Sequence, residues 1–448
     1  MINPAIFKAN DIRGVVGDQW DAEGAFAIGA AWADVLQETG SGSSMVVGRD
    51  MRISSPELAE ALIAGALSRG LDVTDIGLAS TDQLWFASGH FDLPGVMLTA
   101  SHNPGEYNGM KLCLAQAAPI SSGLLADVAR RAMSGVPGAV AEPGIRSHAD
   151  VLQAYANRLL SLVPLDLRRQ LRVVVDGGNG MAGHTLPAVF GDLDLDLIEL
   201  YTDPDGTFPN HPANPLEPEN LRDAQDAVRQ HGADLGLAFD GDADRCFIID
   251  EHGEAVDPSA ITALIAVQEL HREPGATIVC NTISSRSVPE VVEEMGGRIV
   301  VSKVGHTYVK TAMAEHRAIF GGEHSGHYYF RDFWGADTGM LAALHVISML
   351  ARADEPLSHL IARFQRYRAS GELNSTVADA RQAMDQVADQ WAGRGTVDRT
   401  DGLTVSGADW RFNLRPSNTE PLLRLNVEAV EHNRMIEIRD EVLASIRA

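Results

Sequence analysis

The chain has 448 residues, about three times a usual domain of roughly 150, so two to four domains are expected. Its composition, 45% hydrophobic, 22% charged and 6% aromatic, excludes wholesale disorder, collagen and coiled coil. Sixty-one Asp and Glu against 36 Lys and Arg leave a formal charge of −25, which repels phosphodiester backbones and anionic bilayers, so neither nucleic acid nor membrane is an expected partner.

The opening MINPAIFKANDIRG lacks the basic and apolar regions of a signal peptide. Cys113, Cys246 and Cys280 stand far apart without C-x-x-C spacing, which fits a reducing compartment, and a cytoplasmic location is expected. The longest helical apolar run, Gly339 to Leu350, is too short to span a bilayer and reads as a buried core helix.

In chain order, one arrangement of strand, helix, strand and polar loop occurs three times. The first copy runs from MVVGRD at Met45 through a helix at Pro56 to Arg69 and DVTDIG, and delivers GVMLTASHNP at Gly95 to Pro104. The second starts at LRVVVDGGN, Leu171 to Asn179, passes DLDLIELY and a helix at Asn220 to His231, and delivers DLGLAFDGDADR at Asp234 to Arg245. The third starts at TIVCNTISS, Thr277 to Ser285, passes a helix at Val288 to Met295 and RIVVSKVGH, and delivers AIFGGEHSGH at Ala318 to His327. Short β-rich runs alternating with helical patterns imply βαβ units with mainly parallel sheets, whose ligands collect beyond the strand ends.

After about residue 368 the pattern changes to antiparallel strands and a terminal helix. The expected fold class is therefore α/β: three related α/β domains with mixed, mainly parallel sheets, plus a smaller C-terminal α+β domain, around a central cleft. The boundaries read as 1–143, 144–250, 251–367 and 368–448, with linkers at Gly135 to Gly144 and Glu251 to Asp257.

Four polar loops carry candidate chemistry. Asp240, Asp242 and Asp244 alternate after an apolar strand, and carboxylates that close repel unless a hard cation such as Mg²⁺ neutralises them. An EF-hand loop is excluded because Arg245 stands where its sixth-position Gly belongs. Ser101, in TASHNP, is either a turn former or a charged or activated hydroxyl; no G-x-S-x-G elbow surrounds it, although His102 is adjacent. Phosphorylation would give it acceptor oxygens able to complete the shell of a cation on the three aspartates.

Glu323, Ser325 and His327 alternate in GGEHSGH; an extended loop places them on one side, suited to sugar hydroxyls, with ordinary turn polarity as the rival reading. Arg415, Ser417, Asn418 and Thr419, in RPSNTEP, offer donors for a phosphate monoester or form a satisfied turn. Gly178, Gly180 and Gly183 make a G-x-G-x-x-G after a strand, with Glu199 some 20 residues on; hydride transfer has no use for three aspartates, so the glycines read as a tight strand-to-helix turn.

In this order the four loops resemble those of the α-D-phosphohexomutases, in the phosphomannomutase/phosphoglucomutase branch, across essentially the whole chain. The resemblance implies that Ser101 carries the transferable phosphoryl group and that Asp240, Asp242 and Asp244 bind Mg²⁺ together with it. Arg245 is implied to steady the phosphoserine or substrate, and Arg13 and Lys111 to assist transfer. His102 matches the position beside the nucleophile. His306, Glu323, Ser325 and His327 match sugar contacts, His327 also as acid or base, and Arg415, Ser417, Asn418 and Thr419 the phosphate loop.

The implied reaction interconverts hexose 6-phosphate and hexose 1-phosphate through a hexose 1,6-bisphosphate, mannose first and glucose second as the sugar. Its only implied partner is the small phosphosugar, and the cleft is expected to open by movement of the fourth domain. Glucosamine mutases carry Gln in the sugar loop and Asp-Asn-Gly after SHNP, where this chain has His324 and Tyr107. It departs from the mannose/glucose enzymes at Asn10, usually Tyr, and in NTISSRSV, where a Lys is usual; Arg286 and Lys303 are the nearby cations. Phosphoglucomutase or phosphoglucosamine mutase specificity is the first alternative, and a metal-dependent sugar phosphatase and a non-enzymatic phosphosugar binder are the others.

Overall fold

A computed structural model of the chain describes residues 2–9, 11–136, 138–416 and 422–447. The threefold repetition read from the sequence is present as one strand order used three times. In the first copy Ser44–Arg49 is central, parallel to Asp72–Leu78 on one side and to Gly95–Leu98, the strand before the Ser101 loop, on the other. In the second, Leu171–Asp176 is flanked by Leu195–Leu200 and by Leu235–Phe239, the strand before the aspartates. In the third, Thr277–Asn281 is flanked by Arg298–Ser302 and Phe320–Gly322.

A β-α-β-α-β chain thus puts its last strand beside its first each time, and the polar loop leaves from the carboxyl end of that last strand. In the first two copies the chain then turns back antiparallel, as Tyr107–Leu114 beside Gly95–Leu98 and as Cys246–Ile249 beside Leu235–Phe239. The loop-bearing strands GVML and LGLAF are buried along their whole length, which fixes the loop roots rigidly.

The C-terminal region is antiparallel throughout, with strands ordered Arg368–Thr376, Leu422–Ala429, Trp410–Pro416, Leu403–Ser406, Thr396–Asp398. Helices Ala380–Gln390 and His432–Arg447 cover one face and share a core with Trp391, Trp410 and Phe412. This is the expected fold class, three α/β repeats and an α+β end. Gly339–Arg352 is the expected buried helix, and among the described residues no helix is long and apolar enough to cross a membrane.

The chain forms two compact units, Met1–Val256 with Ser325–Ser358, and Asp257–His324 with His359–Ala448. Residues 325–358 therefore pack with the first two repeats although they follow the third in sequence. The two expected linkers are not free segments. Val140 and Gly144 hydrogen-bond back to Ser68 and Leu67, and Arg146–His148 then pairs with Asp72–Leu78, covering an otherwise open sheet edge. The stretch after Ile249 folds back as a tight return, with Asp250 N–H donating to the Glu254 carbonyl and Val256 N–H to that of Ile248.

Candidate active site

The first compact unit brings the phosphoserine-type loop and the aspartate loop into direct contact. Ser101 is buried, and its Oγ donates to Asp240 Oδ2 at 2.7 Å while accepting from Arg245 Nη2 at 2.9 Å. Its φ of +49° lies in the left-handed region, which costs a serine about 1–2 kcal/mol and is sustained by surrounding bonds, among them Ser101 N–H to Thr99 Oγ1 at 2.9 Å. Gly241 is required opposite: a Cβ there would stand 2.4 Å from the Ser101 carbonyl oxygen.

Lys111, from the returning strand, donates to Asp242 Oδ2 at 2.7 Å and Asp244 Oδ2 at 2.5 Å. Burial opposes its charge, but Asp242 and Asp244 outweigh burial and hold the ammonium far above its usual pKa. Burial would likewise raise Asp242, yet the Lys111 charge and hydrogen bond bring it well below the carboxylate range. Asp240 goes the other way, pushed above the carboxylate range by burial and by Asp242 and Asp244, against the pull of Arg245.

These residues fit a divalent cation. Asp240, Asp242 and Asp244 bring ligand oxygens within 4.8 Å of one another, and all three side chains are buried. Asp242 Oδ1 and Asp244 Oδ1 are buried without a hydrogen-bond partner. Such oxygens are costly to bury unless a charge meets them.

His102 lies against Arg245, its Nδ1 contacting Nη2, and stands 3.3 Å from Ser101 Oγ. Burial first, then Arg245 and Arg13, push it well below its ordinary pKa, so the ring is neutral. Arg13 reaches the same loop through Asn103 Oδ1 at 2.8 Å and is tied to Asp11. His327 is bridged in backbone register to Arg245; its Nδ1 meets Ser325 Oγ at 2.8 Å and its Nε2 lies 3.6 Å from Asp244 Oδ1. The segment 323–327 is a turn rather than the extended loop expected, because Gly326, at φ +81°, breaks the alternation.

In the second unit, Glu323 accepts from Asn281 Nδ2 and from Gly305 N–H, both at 3.0 Å, and Gly305 caps the helix that begins at His306. Arg415 donates to Glu372 at 3.0 Å, and Arg424 pairs with the other oxygen of the same carboxylate. Ser417, Asn418, Thr419 and Asn10 lie outside the described residues. Arg286 donates to the Gly407 carbonyl and covers Tyr367, while Lys303 is exposed near Tyr308. The rival glycine motif is used for backbone packing: a Cβ on Gly180 would stand 2.7 Å from the Gly241 carbonyl oxygen, and one on Gly183 at 1.7 Å from that of Thr202.

Sequence reasoning missed the residues that brace this centre. Thr81 donates to Asp242 Oδ2 at 2.6 Å, and Asp82 accepts from Ser80, Tyr155 and Thr338 at 2.5–2.7 Å. Burial pushes Asp82 up to about 7. Arg52 is fully buried beside Asp50. The alternation of Asp50 and Arg52 after the apolar strand MVVGR has the same form as the aspartate loop and was the signal available; nothing local marks Thr81 or Asp82.

The four family models for phosphoglucomutase/phosphomannomutase match in order: alpha/beta/alpha domain I over residues 4–134, domain II over 153–253, domain III over 257–367 and the C-terminal domain over 372–445. A Salmonella montevideo protein named phosphomannomutase is 40% identical over 457 aligned positions, covering 100% of this chain and 99% of its own. An Escherichia coli K12 phosphomannomutase is also 40% identical, with 98% of each chain covered. The chain belongs to the phosphoglucomutase/phosphomannomutase family. It is accordingly an isomerase of the phosphohexomutase class.

Among solved structures, a family protein from Burkholderia thailandensis superposes with a TM-score of 0.93 at 34% identity, covering 100% of this chain and 98% of that one. A putative phosphomannomutase from Thermus thermophilus, 22% identical, shares the fold with a TM-score of 0.82 over 99% and 100% of the two chains.

Proposed function

We propose that the chain interconverts hexose 6-phosphate and hexose 1-phosphate, with mannose phosphate as the first substrate and glucose phosphate as the second, and with Ser101 as the phosphoryl carrier. The observation that carries the reading is the Ser101 hydroxyl itself. It is held on a strained backbone and bonded at once to Asp240 and Arg245, in a chain 40% identical end to end to proteins named phosphomannomutase.

Phosphorylated Ser101 gives its phosphoryl group to the free hydroxyl of the hexose monophosphate, at C1 or C6. The resulting 1,6-bisphosphate turns over, and its other phosphoryl group returns to Ser101. Arg245 lies within hydrogen-bond reach of Ser101 Oγ and spreads the charge that appears there as the phosphorus–oxygen bond breaks. Lys111 pairs with both Asp242 and Asp244 and holds the Asp242 carboxylate ionised, and neutral His102 meets the loop without adding charge.

Asp240, Asp242 and Asp244 would hold Mg²⁺ together with an oxygen of phosphorylated Ser101, and the ion would supply neutralisation of the transferring group. Glu323, Ser325, His327 and His306 are assigned to the sugar, and Arg415 with Ser417, Asn418 and Thr419 to the phosphate that is not reacting. Four functional domains at 1–143, 144–250, 251–367 and 368–448 and a cytoplasmic location complete the reading, the latter supported by three buried free cysteines.

A coupled assay on mannose 1-phosphate and glucose 1-phosphate, with Mg²⁺ and a trace of the matching 1,6-bisphosphate, tests it. The isomeric 6-phosphate is the expected product; release of inorganic phosphate instead identifies a phosphatase, and binding without turnover a phosphosugar binder. Intact mass should show a species about 80 Da heavier, mapping to Ser101. Full mutase activity in Ser101→Ala overturns the carrier assignment.

A further inference from the structure

The guanidinium of Arg52 is fully buried and spends all five of its N–H groups. Nε donates to Asp50 Oδ2 at 3.2 Å. Nη1 donates to the carbonyls of Pro104 at 2.7 Å and Tyr107 at 3.0 Å, and Nη2 to those of Ser101 at 2.8 Å and Asn103 at 2.7 Å. Four of the five acceptors are thus backbone carbonyls of one short segment, three in the loop that presents the Ser101 hydroxyl and the fourth on Tyr107, where the returning strand begins. Asp50 is itself fixed by Ser55 Oγ at 2.5 Å and by the Arg52 N–H.

One of those four carbonyls is that of Ser101, against which Gly241 of the aspartate loop packs with no room for a Cβ. Ser101 has the positive φ that its own side chain disfavours, so the conformation must be imposed from outside. A loop held at four carbonyls by one planar fork has its shape imposed. A lysine ammonium, with three donors at one point, cannot span the same set.

We propose that Arg52 is a positioning residue for phosphoryl transfer: it holds the Ser101 loop in its strained form and sets the distance between the Ser101 oxygen and the aspartate loop. The proposal rests on the reading of Ser101 as phosphoryl carrier. The hydrogen bonds of the Arg52 guanidinium go to Asp50 and to main-chain carbonyls rather than to the Ser101 hydroxyl, so its loss acts on the transfer rate while leaving the sugar contacts alone.

The test compares wild type with Arg52→Lys in the dephosphorylated form. Rapid-quench intact mass follows loading of Ser101 from hexose 1,6-bisphosphate, steady-state assays give kcat and KM, and circular dichroism gives the folded fraction. Loading rate and kcat per folded molecule should fall by about 100-fold, the usual effect of an ångström-scale misplacement, with KM for the hexose monophosphate within about twofold of wild type. Loading within about twofold of wild type overturns the proposal, as does a fall in kcat that only tracks the folded fraction.

If Arg52→Lys does not fold, Asp50→Asn decides, since it preserves shape but turns one donor toward Arg52 Nε. Its kcat should fall by about tenfold at unchanged KM, and unchanged kcat overturns the assignment. Failure of both variants to fold assigns Arg52 to the fold alone and likewise overturns it. A wild-type protein that neither loads Ser101 nor interconverts the isomers would instead refute the functional reading on which the proposal stands.

Discussion

Replacing Lys111 with methionine exposes the charge balance of the aspartate loop. The Lys111 side chain is 12% exposed, and its ammonium sits 2.7 Å from Asp242 and 2.5 Å from Asp244, whose side chains are 0% and 1% exposed. At an effective dielectric of about 20, each contact is worth roughly 6 kcal/mol of gross attraction. Desolvation offsets much of that, but removing one partner of a buried pair typically costs about 3–5 kcal/mol because the other charge is stranded.

Methionine keeps the length and apolar stem, so the loss should be electrostatic. A divalent cation restores the missing charge. Lys111→Met should therefore unfold about 3–5 kcal/mol more easily than wild type in chelator, and the gap should narrow as Mg²⁺ is added. Wild type itself gains about 2.7 kcal/mol at 100 times its dissociation constant. The more negative variant site should bind Mg²⁺ more tightly, every tenfold adding about 1.4 kcal/mol. Denaturant unfolding of dephosphorylated protein across a Mg²⁺ series reads the gap directly. A gap that stays constant to within about 0.5 kcal/mol from chelator to saturation would show that the ion does not meet these carboxylates.

Asp82 titrates near 7 in the folded protein against an ordinary 3.8, so the folded state holds its proton more tightly than the unfolded one. That contribution is fully present below about pH 4 and is lost as pH rises through 7, a change of up to about 4 kcal/mol. The stability of Asp82→Asn minus that of wild type should rise by up to this amount between pH 4 and pH 8, and a pH-independent difference would contradict the assignment. Arg415→Ala should weaken use of hexose 1-phosphate and hexose 6-phosphate alike by roughly 10–150-fold, the loss of one charge-assisted phosphate contact, read as kcat/KM for each. Abolished Ser101 phosphorylation at unchanged sugar-phosphate affinity would place Arg415 elsewhere in the cycle. Asp242→Asn should raise the Mg²⁺ concentration needed for half-maximal activity, and an unchanged Mg²⁺ dependence would return the loop to a solvated acidic turn.

Local pattern and repetition along the chain already encode much of this protein. Apolar strand runs followed by short polar loops, three times over, determined a three-copy α/β chain, and the alternating aspartates after LGLAF determined a carboxylate cluster at a strand end. Alternation also misled: in GEHSGH the positive φ of Gly326 makes a turn where period-two spacing reads as an extended loop. What those loops meet is set by long-range packing. Lys111 lies 131 residues from Asp242 and Ser101 139 from Asp240, and no period in the chain announces either contact. Residues 325–358 packing with the first two repeats, Arg146–His148 closing the first sheet, and Arg52 reading four carbonyls between Ser101 and Tyr107 are of the same kind. Each depends on which buried donors and edges remain unsatisfied once the strands have assembled, and that is a property of the packed chain rather than of any segment in it.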